Sequence, residues 1–219
     1  DDQQFFRQLK IITKNNTKLI SGSGVDLVKF RPVENKKRYD IKILFIGRII
    51  ADKGIYELIE SARIIKKEYS NVTFILMGML GVKNKTSIRK NEVDNWINEG
   101  LIEFIPFQDD IRSVLSDSNL VVLPSYREGT PKTLIEAASM AKPLIATDVP
   151  GCREVVNHEV NGFLCKVKNP VSLAAAIKRY IELDDSSKVE MGKKSRELAE
   201  EKFDIIKVNN RYVNEINKL

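Results

Sequence analysis

Apolar runs recur along the chain at near-regular intervals, and each has the length and β-branched character of a strand. Six stand out: 40–47 (DIKILFIG), 71–78 (NVTFILMG), 101–107 (LIEFIPF, stopped by Pro106), 119–124 (NLVVLP), 142–146 (KPLIA) and 162–165 (GFLC). Near-continuous apolarity, rather than alternation, marks strands buried on both faces of a parallel sheet. Between the runs the spacing becomes helical. In 54–69, Ile55, Leu58, Ile59, Ala62 and Ile65 fall on one stripe. Weaker helical patterns cover 87–99 and 111–116. A strong one covers 130–141, with Thr130 placed to cap it and Pro131 at the first helical position, where a missing N–H is harmless. Further helices are expected over 170–183, 186–203 and 204–219. The alternation of strand and helix predicts an α/β fold, a Rossmann-like doubly wound parallel sheet of about six strands.

Residues 1–38 stand outside this rhythm. They combine a short helix, a strand at 18–21, a glycine-rich turn and a Lys/Arg-rich stretch at 35–38. The expected organisation is a tail of a preceding domain plus a hinge over 1–38, a ligand-binding domain over 39–203, and a C-terminal helix over 204–219 that packs back on the preceding domain. The chain starts at Asp1 with no signal-peptide pattern, as a piece of a longer protein or a processed one would.

Composition narrows the function. At 42% hydrophobic and 30% charged, the 219 residues are an ordinary globular mixture. No run approaches the roughly 18 apolar residues of a membrane span. The formal charge of +6 suits anionic ligands without demanding nucleic acid, and with 7% aromatics there is little material for base stacking. Cys152 and Cys165 lack metal-site spacing and suit a reducing compartment. His158 is the single histidine, so His-rich metal sites and most triads are excluded. A zinc site is not expected.

In doubly wound sheets ligands bind outside the carboxyl ends of the strands. Four segments lie there. In GRIIADKG, Gly47 ends a strand and Arg48 and Lys53 flank the loop before a helix start, a setting for a diphosphate. On charge alone, two solvated loop cations are the more economical reading. In PSYREGTPKTLIE, Glu128 lies on the loop and Glu136 sits inside the helix among Leu134, Ile135, Ala137 and Ala138. A carboxylate there is costly to desolvate unless it accepts hydrogen bonds, for example from ribose hydroxyls. Gly129 lets a ligand approach the backbone. A capping Glu128 and a salt-bridged Glu136 explain the pattern equally well. SGSGVD (21–26) lacks the third glycine of a dinucleotide fingerprint, Leu27 following instead, and reads as a hinge turn. TDVPGCRE (147–154) has a Pro150-Gly151 turn, with Glu154 expected to open a short helix. Cys152 and His158 read as structural.

SGSGVDLVKF, GRIIADKG, the Glu128/Glu136 pair and EAASMAKPLIATDVPGCREVV, in that order over about 17–183, resemble the carboxy-terminal half of family 4 retaining glycosyltransferases of GT-B fold. The resemblance implies a domain binding a nucleotide-sugar donor, with a second Rossmann-like domain holding the acceptor. Arg48 and Lys53 would hold the diphosphate and stabilise its growing negative charge. Glu128 would hydrogen-bond the transferred sugar, helped by backbone N–H groups over Gly129, Thr130 and Pro131. Glu136 would bind the ribose hydroxyls, Leu134 would pack near the nucleoside, and Phe107 and Gln108 would meet the base. Transfer would run through an oxocarbenium-like state with retention and without metal. The wording is similar to bacterial capsular or lipid-linked polysaccharide enzymes. That implies a UDP-sugar donor, a glycan or lipid-linked acceptor, and a cytoplasmic location with peripheral contact at the inner membrane face. The basic stretch 83–89 suits such contact, with plain solvation the simpler account. A binding module without transfer activity, or a nucleotide-sugar epimerase of the same fold, remains an alternative. An oxidoreductase does not, because the Rossmann glycine turn and its distal acidic residue are missing.

Overall fold

The computed structural model describes residues 6–13, 17, 22–33 and 39–218. The expected strand at 18–21 and the basic stretch at 35–38 lie outside the described residues. Six strands and the helices between them follow the apolar rhythm: β1 (Ile41–Arg48), α1 (Ile55–Lys66), β2 (Val72–Met79), α2 (Lys90–Asn98), β3 (Glu103–Pro106), α3 (Arg112–Asp117), β4 (Leu120–Leu123), α4 (Lys132–Ser139), β5 (Leu144–Thr147), α5 (Pro150–Arg153), β6 (Gly162–Cys165), α6 (Pro170–Glu182), α7 (Asp185–Leu198) and α8 (Ile205–Ile216). A π-helical turn, Ala199–Phe203, joins the last two.

The strands form one sheet in the order β3-β2-β1-β4-β5-β6, and every pairing is parallel. β1 and β4 are neighbours although three helices and two strands separate them in sequence. The order reverses between them, which opens a crevice at their carboxyl ends. Central strands are buried on both faces, as their unbroken apolar runs require: Ile43, Leu44, Phe45, Leu76, Leu120 and Leu144 have no exposed side-chain surface to speak of. Pro106 is the last residue of β3, an edge strand, where a missing N–H costs the ladder nothing.

Two local expectations are corrected. Helix α4 begins two residues later than its pattern suggested. Pro131 is its N-cap, extended at ψ 113°, and no side chain caps it, so Thr130 plays no capping role. A residue before proline is driven to extended backbone, which moves the start downstream. At α5, Pro150 opens the helix and Glu154 closes it, the reverse of the order expected. Just past Gly24, Val25 is buried, its N–H donates to Phe203 O at 2.7 Å, and Ile205 N–H donates to Val25 O at 3.0 Å.

Lys142 closes the C-terminal end of α3. Its ammonium donates to Ser116 O at 2.9 Å and Ser118 O at 2.7 Å, and the residue is 6% exposed. Burial pushes its pKa down to about 8, against a smaller opposing pull from Asp117. The unfolded chain, with an ordinary lysine, therefore holds this proton more tightly. Stability from this group should be complete above about pH 10.5 and lost as the pH falls through about 8. We expect urea unfolding of the native chain, relative to Lys142→Met, to gain on the order of 2 kcal/mol between those limits. Parallel curves for the two proteins would refute it.

Candidate donor-binding site

The carboxyl ends of β1 and β4 carry the two loops that the sequence marked. The loop after β1 turns through a short 3-10 segment, Ala51–Lys53, and closes at Gly54, whose φ of 74° suits glycine. A Cβ at Gly54 would stand 2.1 Å from Pro124 O, so the start of α1 lies directly against the end of β4. The two loops are joined there. Tyr126 N–H donates to Asp52 O at 2.9 Å, and the Tyr126 hydroxyl donates to Glu57 of α1 at 2.9 and 3.0 Å. Burial, then the Glu57 contact, pushes the Tyr126 phenol up to about 12, so it remains a donor. Under the second loop, a Cβ at Gly151 of α5 would overlap Gly129 O at 1.5 Å. The helix is thus the floor on which Glu128 and Gly129 rest.

A cavity of about 460 Å³ opens at this junction, walled by Arg48, Lys53, Asn84, Tyr126, Glu128 and Gly129. Lys53 Nζ donates to Glu128 Oε1, and the two side chains are 19% and 11% exposed. Arg48 is exposed at the wall, and among the described residues it has no carboxylate partner. Sequence reasoning missed Asn84. It lies on the loop after β2, which runs along the loop after β1: Ala51 N–H donates to Thr86 O at 2.7 Å, and Thr86 Oγ1 donates to Asp52 Oδ2 at 3.0 Å. No residue-type pattern in an ordinary polar loop marks it. Tyr126 and Arg127, the latter also on the wall, stood inside the quoted SYREGT but had no assigned role.

The remaining expected residues lie elsewhere. Glu136 is 8% exposed on α4 and is not on the cavity wall. Burial raises its pKa, and Lys132, at 3.7 Å, opposes that. Leu134, expected beside a nucleoside, is wholly buried in the core. Pro131 has no backbone N–H, so only Gly129 and Thr130 of that trio have one. Gly47 lies within β1, paired with Gly78. Phe107 and Gln108 are exposed just past β3, with Phe107 N–H donating to Gly78 O at 3.0 Å. His158 Nδ1 accepts Leu164 N–H at 3.0 Å, and Cys152 and Cys165 are buried free thiols, in line with structural roles. Among the described residues no group of three His, Cys, Asp or Glu side chains is arranged as a metal site, and no helix is long and apolar enough to cross a membrane.

A parallel sheet with this order and a charged crevice at the strand switch is one Rossmann-like half of a GT-B fold. Residues 28–198 match the family described as Glycosyl transferases group 1, and the chain belongs to that family. It is 30% identical over 202 residues to N,N'-diacetylbacillosaminyl-diphospho-undecaprenol alpha-1,3-N-acetylgalactosaminyltransferase of Campylobacter jejuni, covering 87% of this chain and 51% of that protein. It is 30% identical over 210 residues to the capsular polysaccharide biosynthesis glycosyltransferase CapM of Staphylococcus aureus, covering 89% and 54%. HepE of Anabaena, crystallised in complex with UDP, superposes with a TM-score of 0.84 at 23% identity, over 99% of this chain and 61% of HepE. That likeness is one of fold. The chain spans about half the length of the two sequence relatives.

Proposed function

We propose that the chain is the donor-binding half of a glycosyltransferase that moves a hexose-type sugar from a UDP-sugar to a glycan or lipid-linked acceptor with retention of configuration. The observation that carries this is the convergence of Arg48, Lys53, Glu128 and Gly129, from loops about 75 positions apart, on one cavity at the strand switch. The relatives support the reading: one is named for transfer to a diphospho-undecaprenol, and HepE was crystallised with UDP.

In this reading Arg48 and Lys53 face the diphosphate. Positive charge fixed in a partly desolvated crevice is worth most where negative charge grows, on the leaving diphosphate. Glu128 accepts hydrogen bonds from sugar hydroxyls and holds the ring over the acceptor face. The N–H groups of Gly129 and Thr130 meet the same ligand. Transfer proceeds with the two cations in the place a metal would take. Glu136 binds the ribose, and Phe107 and Gln108 lie toward the base. The acceptor domain precedes residue 39, with 1–38 as tail and hinge. Helix α8 seats on that domain through Ile206, Val213 and Ile216, which are 66%, 52% and 64% exposed. The protein works on the cytoplasmic side, at the membrane face where a lipid-linked acceptor lies.

Calorimetric titration with UDP and UDP-sugars tests the core of this. No interaction at millimolar concentration with any nucleoside diphosphate would count against it. Glu136→Ala should weaken UDP and UDP-sugar binding together, by about tenfold or more, since a charged acceptor of two hydroxyls is lost. The same substitution should leave thermal stability unchanged or raised, because burial holds this carboxyl above its ordinary range and so opposes its charge. A variant that binds normally removes Glu136 from the site.

A further inference from the structure

The group expected to hold the diphosphate and the group expected to hold the sugar are bonded to each other: Lys53 Nζ donates to Glu128 Oε1. Both side chains are largely out of water, at 19% and 11% exposure. Their backbones are held close together. Lys53 precedes Gly54, which is wedged against Pro124 O, and Glu128 rests on α5, where a Cβ at Gly151 would already stand 2.5 Å from Glu128 O. Tyr126 N–H, bonded to Asp52 O at 2.9 Å, ties the two loops at the same place.

We propose that Glu128 is an internal counter-ion to Lys53, and that it makes the site select a sugar-bearing diphosphate over a bare nucleoside diphosphate. The inference rests on the donor-site reading above and adds a specificity-determining role that the reading does not contain. A diphosphate reaching Lys53 must displace the carboxylate or share the ammonium with it. A displaced, half-buried carboxylate without donors is costly. A sugar attached to the diphosphate brings hydroxyl donors to Glu128 and removes that cost. A bare diphosphate brings none, so Glu128 returns to Lys53 and competes with it. After transfer the sugar has gone, and the re-formed pair hastens departure of the nucleoside diphosphate. Arg48, with no carboxylate partner among the described residues, retains its attraction for the phosphates in both cases.

The test is calorimetric titration of the 219-residue chain with UDP, alongside Glu128→Gln, Glu128→Ser and the double variant Lys53→Met/Glu128→Gln. Circular dichroism confirms folding of each. Both single variants should bind UDP about tenfold more tightly than the native chain, and the double variant should lose that gain, because it acts through the released ammonium. Any preference of the native chain for UDP-glucose or UDP-galactose over UDP should shrink in the single variants. UDP binding by the native chain that is unchanged or weaker in both single variants overturns the counter-ion role and leaves the donor-site reading standing. A gain that survives in the double variant also overturns it. Absence of UDP binding in all four proteins overturns the donor-site reading and this inference together.

Discussion

Arg48→Ala combined with Lys53→Ala is expected to abolish sugar transfer in the full-length enzyme, with kcat falling by about a thousandfold or more. Both cations stand on the wall of the same cavity, Arg48 exposed at the strand end and Lys53 drawn in by Glu128. In the proposed reading each supplies charge where the leaving diphosphate becomes more negative. The remaining positive side chain on that wall, Arg127, belongs to the opposite loop and lies next to Glu128. Release of nucleoside diphosphate in the presence of donor and acceptor measures the effect. The unfolding midpoint should fall as well, because Glu128, 11% exposed, loses its ammonium partner, so turnover is compared at a temperature where the variant is folded. Normal turnover by the double variant would end the electrostatic account of the site.

Gly54→Ala is expected to cost about 3–5 kcal/mol of stability and to lower the thermal midpoint by about 10 °C. Two independent terms add. The φ of 74° is one that alanine adopts at a cost of about 1 kcal/mol. The new methyl would also lie 2.1 Å from Pro124 O and 2.7 Å from Pro124 C, both backbone atoms in a buried strand end that cannot yield. Any relief comes from α1 backing away from β4. That movement carries Lys53 from Glu128 and opens the Tyr126–Asp52 bond, so UDP binding should weaken along with stability. Differential scanning calorimetry and titration of the same sample would show whether the two losses travel together. A stable variant with unaltered binding would mean that the contact is not the hinge between the loops.

The strands and most helices were legible because burial on both faces of a parallel sheet leaves an unmistakable composition: IKILFI and TFILM need no partner to be recognised. The start of α4 was misplaced because Thr130 and Pro131 satisfy the usual start rules equally well, and only the extended backbone at Pro131 decided between them. Leu134 and Glu136, two positions apart on α4, point to roughly opposite sides of the helix, and both are buried.

Within the site, Arg48, Lys53, Glu128 and Gly129 could be named from residue type, glycine placement and position at strand ends, since each is a local property. Their meeting could not. Sequence separates Lys53 from Glu128 by 75 positions, and the ion pair exists because β1 and β4 become neighbours only when the sheet order reverses between them. Asn84 joins the wall for the same kind of reason: backbone bonds between its loop and the loop after β1 bring it there. The chain's own chemistry thus determined which strands are buried and which charges stand at their ends. The packing of one loop on another, down to a glycine pressed against a carbonyl, decided which of those charges share a cavity.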